Sequence, residues 1–287
     1  MIGFNSLGNY GRLGNQMFQY AALKGIAANN GYDWCIPPKS MFGSFDNNVK
    51  NSDTTIYDCF TLDSAKNFQL IDGDIFEEAY FHFDNDLFNN CPNNISLSGY
   101  YQSEKYFKNI EDDIRKDFTF KENIKNLAKQ FLFDNGLSDS ISLHIRRGDY
   151  VNAQQFHPLL SEEYYVEALS KFDSNLPVFV FSDDLEWCKN QEIFKSDRFL
   201  LSEKNIKSPN KVRGIDGSYE QSLLPYWDLC LMSLCSGAII ANSSMSWWGA
   251  WLITNSDKKV IAPKTWFGKL NLHLNTDDII PIEWRKI

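Results

Sequence analysis

The chain is expected to be an α/β protein, and to be most regular in its second half. Short apolar runs at 141–145, 177–182, 198–201, 238–241 and 259–262 alternate with helical patterns at 161–172, 184–191, 219–236 and 243–254, as in a parallel βαβ series. Runs such as Val178-Phe179-Val180-Phe181 and Ala238-Ile239-Ile240-Ala241 are apolar throughout, the pattern of strands covered on both faces. In the first half, a short strand at 2–5 passes through a glycine-punctuated turn into a helix from about 14 to 30.

Gly31 closes that first helix, and a strand follows near 33–36. Residues 39–75 are rich in Asn, Asp and Ser and read mostly as loop. Strands are expected near 79–83 and 95–100, then helices near 104–117 and 121–135. Gly136-Leu137-Ser138-Asp139-Ser140 ends a helix just before the regular repeat begins. This divides the 287 residues into 1–138 and 139–287, with room for the last segment to pack back on the first half. Gly237 supplies a helix stop before the strand that starts at Ala238.

Hydrophobic residues make up 43% of the chain and charged residues 23%, so it has ample core material and no disordered tract. A net charge of −9 argues against a nucleic-acid partner, which would need a basic stripe. An anionic ligand must therefore be gripped by a few well-placed cations. The apolar segment from Tyr226 to Ile253 is interrupted by Asp228, Asn242 and serines, which excludes a membrane span there. Met1-Ile2-Gly3-Phe4-Asn5 has neither a basic nor an apolar leader region, so a cytoplasmic location is expected, with at most peripheral attachment to the inner membrane surface. Cys35, Cys59, Cys91, Cys188, Cys230 and Cys235 show no metal or redox spacing and read as reduced thiols.

Four motifs carry chemistry. His144-Ile145-Arg146-Arg147-Gly148-Asp149-Tyr150 places two guanidinium forks at the exit of a buried strand, where open α/β sheets bind ligands and where an Arg can hold phosphate oxygens bidentately. A surface ion pair with Asp149 is the plain alternative. The tripeptide Arg147-Gly148-Asp149 also matches an adhesion signal, but it adjoins an apolar run rather than a loop tip. In Gly11-Arg12-Leu13-Gly14-Asn15-Gln16, a glycine turn enters a helix without the lysine of a nucleotide-binding P-loop. Phe181-Ser182-Asp183-Asp184 ends a strand with two carboxylates, suited to a metal, a base or ribose contact, or a helix cap. Asn242-Ser243-Ser244 leads into Trp247-Trp248-Gly249-Ala250-Trp251. It reads either as an anion cradle at a helix N-terminus or as a cap followed by core tryptophans.

Together, Gly11–Ala21, His144–Val151, Phe181–Asp184 and Asn242–Trp251 resemble, in order and spacing, the α-1,2-fucosyltransferase family. The resemblance spans about residues 3 to 265 and weakens over 39–100, where acceptor specificity is expected to reside. It implies a GT-B fold with two Rossmann-like domains facing a cleft, the first on the acceptor side and the second binding GDP-L-fucose. The implied reaction is inverting transfer of L-fucose to the 2-hydroxyl of a terminal galactose, in an oligosaccharide or a lipid-linked glycan. No cofactor and no metal are implied, since GDP-fucose is the donor substrate.

By the same resemblance, Arg146 meets charge developing on the departing phosphate, Asp149 orients the arginines, and Arg147, Ser243 and Ser244 bind the diphosphate. His144 and Asp184 face the guanine, and Asp183 is grouped with the nucleotide-binding residues, with capping of the following helix as its plain alternative. Arg12, Gly14 and Asn15 serve the fucose and the acceptor hydroxyl. The base is left open among Asp149, His157 and Glu162, because 150–156 contains no carboxylate. His157 itself reads first as a loop histidine bonding backbone. Another GDP-sugar transferase, a protein O-fucosyltransferase, or a carbohydrate-binding module suggested by 15% aromatic content are the competing readings.

Overall fold

The computed structural model describes residues 1–41, 54–202 and 225–287. The chain forms two compact units, Met1–Lys121 with Leu274–Pro281, and Glu122–His273 with Ile282–Ile287. Both are α/β, each built on a parallel sheet.

In the first unit, β1 (Ile2–Gly3), β2 (Trp34–Cys35), β3 (Asp74–Glu77) and β4 (Ile95–Ser98) form a sheet of order β2-β1-β4-β3. Helix α1 (Leu13–Asn30) is buried on nearly every face, which is why its sequence shows little amphipathic contrast. Two of its interior polar side chains meet one buried carboxylate. Lys24 Nζ and Tyr20 Oη donate to Asp117 Oδ2 at 2.7 and 2.8 Å, and Ser64 donates to the same carboxylate. Burial pushes the Asp117 carboxyl up, but the hydrogen bonds from Lys24 and Ser64 outweigh it and hold the group below the usual range.

The 39–75 region contains two elements that the sequence reading missed. Helix α2 (Ile56–Cys59) is set by a capping box between Thr55 and Asp58. The expected strand at 79–83 lies earlier, as β3. It is an exposed edge strand paired only with β4, so it lacks the burial pattern that identifies a strand in sequence. The segment 42–53 lies outside the described residues. Helix α3 (Asn85–Asn90), capped by Asp84, was also not expected. The helix expected at 104–117 is two short 3-10 turns followed by α4 (Glu111–Asp117).

In the second unit, α5 (Glu122–Asp134) precedes β5 (Ile141–Ile145), α6 (Glu162–Leu169), β6 (Val178–Ser182), α7 (Leu185–Lys189) and β7 (Phe199–Leu201). Then come α8 (Pro225–Ser233), β8 (Gly237–Ile239), α9 (Ser244–Leu252), β9 (Val260–Ala262) and β10 (Arg285–Lys286). The part of the expected 219–236 helix before residue 225 lies outside the described residues. The sheet order is β10-β9-β8-β5-β6-β7. The chain therefore builds outward from β5 to one side, then returns to add β8 on the other. This reversal between β5 and β8 opens a crevice at the strands' carboxyl ends, the place where such sheets bind ligands.

Strand alternation assigns the two faces of β5. Ile141, Leu143 and Ile145 pack with Val178, Val180, Ile239 and Ile261 against Tyr165, Ala168 and Leu169 of α6. Burying each of the larger apolar chains contributes about 1.5–3 kcal/mol. His144 lies on the opposite face of β5. All six cysteines are buried and none forms a disulfide, and burial pushes the Cys230 and Cys235 thiols up to about 12. Among the described residues no helix is long and apolar enough to cross a membrane.

Candidate active site

Three neighbouring strand ends deliver the motif residues of the second unit to one place. Arg146 and Arg147 follow β5, Asp183 and Asp184 follow β6, and Asn242 and Ser243 follow β8. Arg146 is held by two carboxylates, its Nη2 bonding Asp149 Oδ1 at 2.6 Å and its Nη1 pairing with Asp183 Oδ2 at 2.8 Å. The guanidinium also lies over the Tyr150 ring, 5.2 Å from its centroid. Arg147 Nε bonds Asp184 Oδ2 at 3.1 Å, and its guanidinium lies 4.2 Å from the centroid of Trp187. These contacts leave both forks only partly exposed and restrict their rotamers before any ligand arrives. An isolated surface pair of Arg146 with Asp149 does not describe this arrangement.

The backbone beneath the arginines is equally constrained. Arg147 N donates to Asp183 Oδ1 at 2.8 Å, which draws the turn after β5 against Asp183. A Cβ on Gly148 would lie 2.5 Å from Asp183 Oδ2, so only glycine permits this approach. Asp183 is therefore the organiser of the arginine turn. The plain alternative, that it caps α7, is corrected. Asp184 is the cap, with Oδ1 accepting from Trp187 N at 3.1 Å.

Ser243 occupies the N-cap position of α9, but its side chain makes no cap hydrogen bond. Its hydroxyl therefore does not close off the first-turn N–H groups, which favour an anion. Trp247, Trp248 and Trp251 are core, as the plain reading held. Tyr150 joins this loop to the arginine turn, its hydroxyl donating to Asn242 O at 3.1 Å. The Tyr150 ring also stacks on His157 at 4.6 Å and 13°. His157 is thus a stacking partner rather than a side chain bonding backbone, and Phe267 lies 5.7 Å from it. Burial, with repulsion from Arg146, holds its pKa below the usual histidine value against the opposing pull of Asp149.

Two buried polar atoms at this crevice lack hydrogen-bond partners, His144 Nδ1 and Asn242 Oδ1. Burial first, then repulsion from Arg146, lowers the His144 pKa to about 4, so the ring is neutral near pH 7. Asn242 Nδ2 donates to Pro158 O and Trp266 O, both at 3.1 Å, which leaves its oxygen as an unfilled acceptor. Buried orphan atoms cost about 1–3 kcal/mol each and call for a ligand or an equivalent explanation.

The remaining predicted residues lie in the first unit, around the first turn of α1. Arg12 is exposed at the N-cap position, Gly14 is buried, and Asn15 Oδ1 accepts from Gln102 Nε2 at 2.9 Å. Gln16 is structural, bridging Thr54 O and Ile56 N. Of the base candidates, Asp149 is committed to Arg146 through one oxygen and Glu162 is exposed on the first turn of α6. Tyr150, Trp187 and Asn242 were not singled out from sequence. Tyr150 and Asn242 did stand inside quoted motifs, so an aromatic directly after the arginine turn was an available signal. Among the described residues no group of three His, Cys, Asp or Glu side chains converges as a metal site would require.

The family model for glycosyl transferase family 11 matches residues 1–287. An alpha-1,2-colitosyltransferase of Escherichia coli is 33% identical, with 96% of this chain and 96% of that protein covered. The galactoside 2-alpha-L-fucosyltransferase SEC1 of Bos taurus is 28% identical over 86% of this chain and 63% of its own length. Among solved structures, the fucosyltransferase NodZ from Bradyrhizobium has a TM-score of 0.54 at 12% identity, covering 89% of this chain and 96% of that one. At that identity the likeness concerns the fold, which is the GT-B-type α/β fold that the sequence resemblance implied.

Proposed function

Because the chain belongs to glycosyl transferase family 11, we propose that it transfers L-fucose from GDP-β-L-fucose to the 2-hydroxyl of a terminal galactose, with inversion. The observation that carries this reading is Arg146, placed at the sheet's switch point with both terminal nitrogens fixed by Asp149 and Asp183. Cleavage of the fucosyl–phosphate bond leaves positive charge on the sugar ring and adds negative charge to the departing β-phosphate. A donor fixed before the reaction stabilises that charge without reorganising. The remaining N–H groups of Arg146, with Arg147, Ser243, Ser244 and the α9 N-terminus, would hold the diphosphate.

Electrostatic balance supports that use of the site. Two guanidiniums stand among three carboxylates, so the diphosphate is held by directed N–H donors rather than by a surplus of positive charge. His144, neutral and with an open ring nitrogen, and Asp184 are assigned to the guanine. No metal or other cofactor is assigned, since directed donors would do the work of a divalent ion. The acceptor is a galactose-terminated oligosaccharide or lipid-linked glycan. The location assigned is the cytoplasm, with contact to the inner membrane surface through a lipid-linked acceptor at most, and nucleic acid is not a partner.

The relatives divide on the donor sugar, one being named for colitose and the other for L-fucose. The test offers the purified protein GDP-L-fucose and GDP-colitose separately, with lactose as acceptor and excess EDTA present. Product linkage is read by NMR. A fucosyl α-1,2-galactoside formed in EDTA is the expected result. Colitose transfer alone, or transfer that requires added Mn²⁺ or Mg²⁺, would overturn the donor or the metal assignment respectively.

A further inference from the structure

The first unit has a second constellation at the carboxyl end of its sheet. The loop after β1 and the loop after β4 are stitched together by Gln19 of α1. Its Nε2 donates to Tyr10 O at 3.3 Å and to Gly99 O at 2.9 Å, while its Oε1 accepts from Gly8 N at 3.3 Å. The stitched loops present two tyrosines side by side. Tyr10 and Tyr100 are 39% and 40% exposed, with ring centroids 6.3 Å apart and planes at 63°. Two half-exposed rings at an angle form an aromatic corner rather than a piece of core.

The corner is held rigidly. Just beyond β3, Glu78 accepts from Tyr100 N through Oε2 at 2.7 Å and from Tyr101 N through Oε1 at 2.8 Å. Gly99 has φ +147°, and a Cβ there would meet Glu78 Cβ at 2.4 Å. Tyr101 adopts φ +53°, an unfavourable conformation for a tyrosine, which persists because the Glu78 clamp and burial of its ring over-determine it. Each Glu78 oxygen has a second lone pair available for a further donor.

The loop after β1 supplies an independent observation. Two buried side-chain oxygens in it, Ser6 Oγ and Asn9 Oδ1, have no hydrogen-bond partner, and Asn9 is 5% exposed. The place therefore combines two aromatic faces with the Glu78 carboxylate that anchors them. A galactopyranoside matches both needs. Its C3, C4 and C5 hydrogens make one apolar face, and its hydroxyls surround that face.

We infer that Tyr10, Tyr100 and Glu78 form the recognition platform for a galactoside, with the rings taking its apolar face and Glu78 accepting from its hydroxyls. This rests on the galactoside-acceptor reading above and identifies the residues of the first unit that would read that acceptor.

Saturation-transfer NMR with methyl β-D-galactopyranoside, in the absence of nucleotide, tests it directly. Tyr10→Ala and Tyr100→Ala should each weaken binding on the order of ten-fold, the scale of one lost aromatic contact. Tyr100→Phe, which keeps the ring, should stay close to the parent, and Glu78→Gln should weaken binding and lower the unfolding temperature as well, since an amide nitrogen cannot accept from the second backbone N–H. In turnover, both alanine variants should raise the acceptor KM and leave GDP affinity, measured by calorimetry, unchanged. Unaltered galactoside binding and acceptor KM in both alanine variants would overturn the platform. Loss of galactoside binding in those variants, in a protein that forms no fucosylated product, would support the platform and remove the transfer reading instead.

Discussion

The proposed chemistry rests on Arg146, and its two carboxylate partners make its replacement informative. Arg146→Ala should lower turnover by about 100-fold or more, since one lost transition-state donor costs on the order of 3–4 kcal/mol. Arg146→Lys should recover little, because lysine cannot keep both Asp149 and Asp183 in a planar fork and still reach phosphate. Steady-state kinetics on folded variants checks both. Asp184 keeps the guanine assignment of the sequence reading and takes the capping role, while Asp183 organises the arginine turn. Asp183→Asn should cost turnover through the arginine turn, whereas Asp184→Asn should mainly weaken GDP relative to ADP and UDP, as calorimetry would reveal. His144 adds a pH dependence. Its folded pKa lies near 4, below the unfolded value of about 6.5, so between these values the unfolded chain takes up a proton that the native one refuses. Stability is therefore full above about pH 6.5 and declines as pH falls toward 4, with a slope of up to about 1.4 kcal/mol per pH unit. Denaturant titrations should show a shallower acid slope in His144→Asn, and an identical slope would exclude this origin. The adjacent arginines, the paired aspartates and the serines were legible because chemistry-bearing residues stood at the ends of apolar runs. The hydrogen bond from Tyr150 to Asn242 was not, since only the sheet order brings those two positions together.

Among the elements, the strands of the second unit were read almost to the residue, because a buried parallel strand writes an uninterrupted apolar run. β3 and β10 were missed for the opposite reason. Both lie at sheet edges with exposed residues, so burial left no pattern in their sequence. The turn after β5 is the element on which the site depends, and its shape comes from packing against the end of β6. Gly148→Ala should move that turn off Asp183, because the added methyl would sit 2.5 Å from a carboxylate oxygen. The expected outcome is a loss of GDP affinity of roughly ten-fold or more, with overpacking costing about 1–3 kcal/mol. Calorimetry with GDP, alongside thermal unfolding, separates a displaced turn from a failed fold. An unchanged affinity would mean that the turn can shift without consequence.

At the scale of the whole molecule, the chain path through the two units is not one that local sequence patterns reveal. Helix α5 groups with the second unit, and residues 274–281 return to the first before β10 completes the second sheet. The returning segment is bound by specific contacts. Asp278 accepts from Phe83 N at 2.9 Å, pairs with Lys105 at 3.5 Å, and offers its carbonyl to Ser103. A fragment ending at residue 121 should therefore unfold at lower temperature than the same fragment supplied with a 274–281 peptide, as calorimetric scanning would measure. Equal melting with and without the peptide would show those contacts to be dispensable. The wider consequence is for heredity. A unit assembled from two separated stretches of gene cannot be exchanged by one crossover, since a recombinant that acquired a foreign first half would keep the old octapeptide. Change in that unit would then accumulate through substitutions in surface loops, on a scaffold that resists being traded as a block.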